Sequence, residues 1–188
     1  MTRVLAVLGS VTPPGRLRAA LRLAVETAAA SPGVSASLLD LAEHRVSFAD
    51  GRPLDRFADD TARVVAQIAE ADAVLLASPV YRASFSGALK NLLDLVPLEA
   101  LEGKPVGIMA MGATPHHYLG VDGHLRAVLA WFGALTAPTS VYLESAHFKD
   151  GDLADPGARR AVTDLVGALL TLATSRAALG PRPLAARG

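Results

Sequence analysis

Three segments of the 188-residue chain combine glycine, hydroxyl and basic residues in ways that suit ligand binding. In the first segment, an apolar run is followed by Gly9 and Ser10. Thr12, Gly15 and Arg16 then lead into an amphipathic stretch. Backbone N–H groups and the positive end of a helix at such a place favour a phosphate group. A turn and helix cap without any ligand is the alternative explanation of the same residues.

The second segment places Pro79, Val80 and Tyr81 directly after the apolar run 73–77. A strand that runs into a loop containing proline and an aromatic ring is where open α/β sheets bind their ligands. We therefore expect these three residues to flank a flat ring. A helix should follow, capped by one of the two serines in the range 84–86.

The third segment consists of Gly112, Ala113 and Thr114, which follow the apolar run 106–111. Its glycine and its position directly after a predicted strand resemble the first segment. If the strands before the three segments are neighbours in one parallel sheet, the three loops form a single site at the carboxyl edge of that sheet.

Apolar runs of strand length alternate with amphipathic stretches along the whole chain. Strands are predicted at 3–8, 34–41, 73–77, 106–111 and 139–143, and helices at 17–30, 61–70, 84–96, 120–132 and 157–175. This alternation predicts an α/β fold, a doubly wound five-stranded parallel sheet in the order 2-1-3-4-5. We expect one domain over residues 1–178, a polar loop at 150–156, and a disordered tail at 179–188.

In this strand order the three loops meet, and together they suit a monophosphate that carries a flat aromatic ring. The phosphate would lie on the first loop, the ring against the second, and the far edge of the ring on the third. Flavin mononucleotide (FMN) is the obvious candidate. The chain contains neither G-x-G-x-x-G nor a Walker A loop. Both a dinucleotide-binding Rossmann site and nucleoside triphosphate hydrolysis are therefore disfavoured.

Composition narrows the class of protein further. The 18 basic and 18 acidic residues balance, which argues against nucleic-acid and membrane partners. Because there is no cysteine, disulfides and thiolate sites are excluded. No apolar run has the length of a membrane span, so we expect a cytoplasmic protein. A hydrophobic fraction of 51% against 19% charged residues predicts a homo-oligomer, since surplus apolar surface is usually buried between subunits.

The residues of the first two loops resemble a known family. Gly9-Ser10 and the segment 78–94 are similar to the NAD(P)H-dependent FMN reductases, which are flavodoxin-like. The signature is P-V-Y-x-x-x-x-S-G-x-L-K-x-x-x-D, and the resemblance continues through 101–105, 112–114 and 121–129. It is closest to the flavin reductases that serve two-component alkanesulfonate and methanesulfonate monooxygenases. Those reductases carry an inserted residue that forms a π-helix in the fourth helix, where Gly123 stands here.

The resemblance implies a flavodoxin-like homodimer or homotetramer that reduces FMN with NAD(P)H and passes the reduced flavin to a flavin-dependent monooxygenase. It implies that Ser10 and the segment 12–16 hold the phosphate. It also implies that residues 79–81 flank the isoalloxazine ring and that residues 112–114 face its polar edge. Hydride transfer from the nicotinamide C4 to the flavin N5 needs no protein acid or base, so we assign no catalytic residue. We assign no metal ligand either.

Two other activities are compatible with the same residues. In one, the protein keeps FMN tightly bound and reduces quinones, azo dyes or chromate. In the other, it is a flavodoxin-like electron carrier without enzymatic activity. The neutral charge balance argues against the carrier, because such carriers are usually strongly acidic.

Overall fold

The computed structural model describes residues 1–12 and 15–175. The expected tail at 179–188 lies outside the described residues. The elements are β1 (Thr2–Leu8), α1 (Arg16–Ala29), β2 (Val34–Asp40), α2 (Thr61–Glu70), β3 (Ala73–Pro79), α3 (Gly87–Leu95), α4 (Leu98–Leu101), β4 (Pro105–Gly112), α5 (Tyr118–Trp131), β5 (Leu135–Thr136), β6 (Val141–Glu144), β7 (Phe148–Lys149), β8 (Asp152–Leu153) and α6 (Pro156–Ser175).

The main sheet is parallel throughout and confirms the predicted order 2-1-3-4-5. β1 lies between β2 and β3, β3 pairs with β4, and β4 pairs with β5 and β6. Leu8 at the end of β1 pairs with Ala77, and Pro79 at the end of β3 pairs with Met111. The registers therefore bring the carboxyl ends of β1, β3 and β4 to one edge of the sheet.

The fifth position of the sheet differs from the prediction of a single strand at 139–143. β5 pairs with the beginning of β4, where Leu135 lies beside Pro105, and β6 pairs with its end, where Val141 lies beside Met109. Pro138 stands between the two pieces. Because proline has no N–H group for the ladder, it divides the strand into two.

A short antiparallel hairpin of β7 and β8 extends into the stretch expected to be a polar loop at 150–156. Asp150 and Gly151 form its tip and have φ angles of 52° and 92°. Two-residue strands leave no periodic pattern in a sequence, so the sequence does not reveal this hairpin.

The core occupies both faces of the sheet. Leu5 and Val7 of β1 pack with α2, α3 and α5 on one face, whereas Val4 and Ala6 pack with α1 and α6 on the other. Burial on both faces explains why the central strands appear as nearly continuous apolar runs. Of the helices in residues 1–12 and 15–175, none is long and apolar enough to cross a bilayer.

The helix that contains Gly123 begins earlier than predicted. A 3₁₀ turn at Pro115–His117 leads directly into α5, which starts at Tyr118 rather than at residue 120. α5 is α-helical as far as Trp131, without a π turn. The proline and glycines around its start hide the first turn from the periodicity of the sequence.

Candidate functional site

A cavity of about 480 Å³ opens at the carboxyl edge of the sheet, where the loops after β1, β3 and β4 meet. This volume lies within the usual range for small-molecule and cofactor sites. Nine of the ten predicted site residues line the cavity: Ser10, Thr12, Gly15, Arg16, Pro79, Val80, Tyr81, Gly112 and Ala113. The tenth, Thr114, follows Ala113 in the chain but is not part of the cavity wall.

The first loop packs closely against β3 and α3. The Gly9 N–H donates to the Ala77 carbonyl at 2.7 Å. A Cβ at Gly9 would lie only 2.8 Å from the Leu89 Cβ and 2.9 Å from that carbonyl oxygen. Glycine is therefore required here by the close approach of the two segments. Ser10 is 5% exposed, and its Oγ lies 2.8 Å from the Thr12 Oγ1.

The beginning of α1 is open on the cavity side. Gly15 is the N-cap residue, and it provides no side-chain hydrogen bond to the first turn. Arg16 donates to the Ser145 Oγ at 3.0 Å, whereas Arg18 is occupied by an ion pair with Asp40 at 2.8 Å. Arg16 has no carboxylate partner among the described residues. A phosphate group is suited to this place, where uncapped first-turn N–H groups lie beside the positive charge of Arg16.

Two buried serines connect the loops after β1 and β3. The Ser78 Oγ accepts a hydrogen bond from the Ser86 N–H at 2.8 Å and donates to the Pro79 carbonyl at 2.9 Å. The Ser86 Oγ accepts from the Leu89 N–H at 3.0 Å and donates to the Gly9 carbonyl. Ser86 is therefore the predicted cap of α3, and it also holds the first loop.

The chain reverses in a tight turn directly after Tyr81. The Tyr81 N–H donates to the Ser84 carbonyl at 2.8 Å, and the Ser84 N–H donates back to the Tyr81 carbonyl at 3.0 Å. Arg82 and Ala83 between them have φ angles of 51° and 61°. Two consecutive non-glycine residues in the left-handed region are strained, and such strain clusters at functional sites. The turn holds Tyr81 at the cavity, with its side chain half exposed.

The loop after β4 offers unused backbone donors. Within residues 1–12 and 15–175, the N–H groups of Ala113 and Thr114 have no hydrogen-bond acceptor. The Thr114 carbonyl, by contrast, accepts from the Tyr142 hydroxyl at 2.6 Å. The Thr114 Oγ1 is buried and has no partner in the described part of the chain. This loop can therefore donate hydrogen bonds to a polar ligand edge.

Sequence reasoning missed several residues of the cavity wall: Leu8, Leu17, Arg18, Met111 and Ser145. Ser145 follows β6 directly, so the rule that ligands bind at the carboxyl ends of strands would have found it. Arg18 and Leu17 belong to the first turn of α1, and only the tertiary structure shows which side of that turn faces the cavity.

Comparison with known proteins identifies the family of the chain. A family model described as NADPH-dependent FMN reductase matches residues 2–148. The chain belongs to this family. The protein is thus an NAD(P)H-dependent FMN reductase, an oxidoreductase with FMN and NAD(P)H as its flavin and its reductant.

Individual relatives are also named as flavin reductases or flavoenzymes. The chain is 38% identical over 142 residues to an NAD(P)H-dependent FAD/FMN reductase of Geobacillus thermodenitrificans, covering 75% of this chain and 77% of the relative. It is 31% identical over 176 residues to an FMN reductase (NADPH) of Pseudomonas aeruginosa, covering 94% and 90%. The solved structure of FerB, a flavoenzyme NAD(P)H:(acceptor) oxidoreductase from Paracoccus denitrificans, superposes with a TM-score of 0.72 at 19% identity, covering 94% and 99%. This structural likeness shows the shared fold.

The cavity of this FMN reductase fits FMN chemically. A phosphate needs backbone N–H groups and a positive charge, which the start of α1 and Arg16 provide. A flavin ring needs a flat apolar wall, which the Pro79–Tyr81 segment provides. The polar edge of the ring needs donors, and the N–H groups of Ala113 and Thr114 in the loop after β4 have no acceptor in the described part of the chain.

Proposed function

We propose that the cavity holds FMN with its phosphate at the start of α1, its ring against Pro79, Val80 and Tyr81, and its polar edge at the loop after β4. The protein reduces this FMN with NAD(P)H and delivers the reduced flavin to a flavin-dependent monooxygenase. The observation that supports the proposal is that one cavity is lined both by the start of α1, where Gly15 offers no side-chain cap, and by Ala113, whose N–H has no acceptor among residues 1–12 and 15–175.

The residues of the chain contribute binding and electrostatics to this reaction. When bound, FMN supplies the site that accepts the hydride. The N–H groups of Ala113 and Thr114 donate to the ring edge, where negative charge develops on reduction, and fixed donors of this kind stabilise such charge. Pro79 and Tyr81 exclude water from the ring. Ala113 lines the cavity, whereas Thr114 follows it in the same loop and is not part of the cavity wall.

The proposal includes the organisation of the protein. Residues 1–178 form one domain, because both core clusters share the same sheet. The active assembly is a homodimer or homotetramer, supported by an exposed Trp131 beside a groove of about 650 Å³ between α3 and α5. Light scattering of the purified protein tests the assembly, and a monomer would contradict it. We place the reaction in the cytoplasm because reduced nicotinamides are available there.

The activity is tested by NAD(P)H oxidation with apo-protein, adding FMN, FAD or a quinone separately. We expect oxidation that depends on FMN and speeds up when a flavin-dependent monooxygenase consumes the product. Fast quinone reduction by a protein that purifies with tightly bound FMN, with ping-pong kinetics, would favour the quinone, azo dye or chromate reductase instead. No oxidation with any acceptor contradicts both enzymatic functions.

The phosphate position is tested by Ser10→Ala in a fluorescence titration with FMN. We expect affinity to fall about tenfold, because a hydrogen bond to a charged group contributes about 1.5 kcal/mol or more. Ser37→Ala is the matched control, since Ser37 is an exposed serine of β2. Equal FMN affinity in Ser10→Ala and in the control would contradict the placement of the phosphate at this loop.

A further inference from the structure

Tyr142 reaches the candidate flavin site from a neighbouring strand. It lies on β6 and pairs with Ala110 of β4. Its hydroxyl extends past the end of β4 and donates to the Thr114 carbonyl at 2.6 Å. Tyr142 is not part of the cavity wall, so it influences a ligand only through the loop that it holds.

This contact fixes the far end of the loop after β4. The near end is already fixed, because Gly112 belongs to β4 and pairs with Glu144. The N–H groups of Ala113 and Thr114 lie between these two anchors and have no acceptor among the described residues. The orientation of these two donors therefore depends on both anchors.

Gly112 makes room for the tyrosine. A Cβ at Gly112 would lie 2.0 Å from the Tyr142 Oη and 2.9 Å from its Cζ. The first distance is far below any real contact, so no larger residue fits while the hydroxyl occupies this position. Gly112 and Tyr142 are thus a matched pair whose effects on the loop should be strongly coupled.

The hydroxyl acts as a donor throughout the neutral pH range. Burial raises the pKa of Tyr142 above its ordinary value, and the negative charge of Glu144 raises it further. The tyrosine therefore stays protonated under conditions in which NAD(P)H is stable.

We propose that Tyr142 is a positioning residue for flavin binding, which orients the loop after β4 so that the N–H groups of Ala113 and Thr114 point to the polar edge of the isoalloxazine ring. This inference rests on the proposed function, since it requires the ring edge to lie at this loop. The wild-type protein, measured in the same experiment, distinguishes a failure of this inference from a failure of the proposed function.

The first test is Tyr142→Phe, with Tyr118→Phe as the control because Tyr118 is an exposed tyrosine on α5. We expect FMN affinity to fall about tenfold in Tyr142→Phe, because the hydrogen bond that anchors the loop is lost. The affinity of the control should stay unchanged. The visible absorption spectrum of the bound flavin should shift toward that of free FMN. A role in stability alone would lower the melting temperature without changing this spectrum.

The second test adds Gly112→Ala and the double variant Gly112→Ala/Tyr142→Phe. Gly112→Ala alone should bind FMN most weakly, because its methyl group displaces the hydroxyl. Removing that hydroxyl relieves the 2.0 Å collision, so the double variant should bind FMN more tightly than Gly112→Ala. Circular dichroism confirms that each variant is folded, and a poorly folded single variant that the double restores also supports the coupling.

Three outcomes overturn the inference. They are wild-type affinity in Tyr142→Phe, an unchanged flavin spectrum in that variant, and additive losses in the double variant. If instead the wild-type protein neither binds FMN nor oxidises NAD(P)H, the proposed function fails and the inference fails with it. Wild-type activity together with an unaffected Tyr142→Phe rejects the role of Tyr142 alone.

Discussion

The Ser86 hydroxyl donates a hydrogen bond to the carbonyl of Gly9, 77 residues earlier in the chain. The same oxygen accepts from the Leu89 N–H at 3.0 Å as the cap of α3. One buried hydroxyl thereby joins the start of a helix to the loop that we assign to the flavin phosphate. A change at this oxygen should affect both the stability of the protein and its affinity for FMN.

Ser86→Ala should lower the free energy of unfolding by about 2 kcal/mol, from the lost cap and the unsatisfied Gly9 carbonyl together. FMN affinity should fall as well, because the first loop is no longer held. Urea denaturation and a fluorescence titration measure the two effects. Ser37→Ala, on the exposed side of β2, is the control and should match the wild type. Wild-type stability in Ser86→Ala would show that neither the cap of α3 nor the hydrogen bond to the Gly9 carbonyl stabilises the protein.

Gly9→Ala should destabilise the protein by about 1–3 kcal/mol through overpacking. The new methyl group would lie 2.8 Å from the Leu89 Cβ, which cannot move without shifting α3. Gly87→Ala, in the first turn of α3, is the matched control because a Cβ at that position would have no atom within 4 Å. Thermal unfolding of both variants should show a loss only at position 9, and equal melting temperatures would contradict the close approach of the two segments.

Much of the fold was predictable because its determinants are local. The central strands are buried on both faces, and this produces apolar runs that a sequence shows directly. The three loops follow such runs, so their common edge could be inferred from the strand order. Ser86 as a helix cap was also predictable, since serine before a helix is a local signal.

The remaining features depend on contacts between distant segments. Tyr142 stands in a short strand, and only the pairing of β6 with β4 brings its hydroxyl to Thr114. The left-handed turn at Arg82 and Ala83 has no glycine or asparagine to mark it. The backbone preference of arginine and alanine disfavours this conformation, so contacts with the rest of the protein must impose it.

Ala83→Gly should stabilise the protein by about 1 kcal/mol, since Ala83 has a φ angle of 61° and glycine adopts this region without strain. The carbonyl of Ala83 and its contacts are unchanged by the substitution. Ala88→Gly, in the regular conformation of α3, is the opposite control and should destabilise by a similar amount. A lower melting temperature for Ala83→Gly would show that the turn is not strained.

Asp59 should make the stability of the protein depend on pH in the acidic range. Hydrogen bonds from Ser47 and then Thr61 lower the pKa of Asp59 from 3.8 to about 2. The charged form is favoured in the folded state, so the stabilisation is complete above pH 3.8 and disappears as the pH falls through about 2. The urea midpoints of wild type and Asp59→Asn should therefore differ at neutral pH and converge on acidification. The same gap at every pH would contradict this linkage.

Gly123→Ala and Gly120→Ala should have opposite effects although both glycines lie in α5. Nothing lies within 4 Å of a Cβ at Gly123, so alanine there should stabilise the helix by about 0.5–1 kcal/mol. A Cβ at Gly120 would lie 2.7 Å from the carbonyl oxygen of Ala83. The added methyl group would therefore collide with the strained turn after Tyr81. We expect Gly120→Ala to lower both the melting temperature and the FMN affinity. Thermal unfolding and FMN titration of the two variants measure these effects. Stabilisation by both substitutions would mean that α5 does not support the turn, and the position of Tyr81 would then depend on β3 alone.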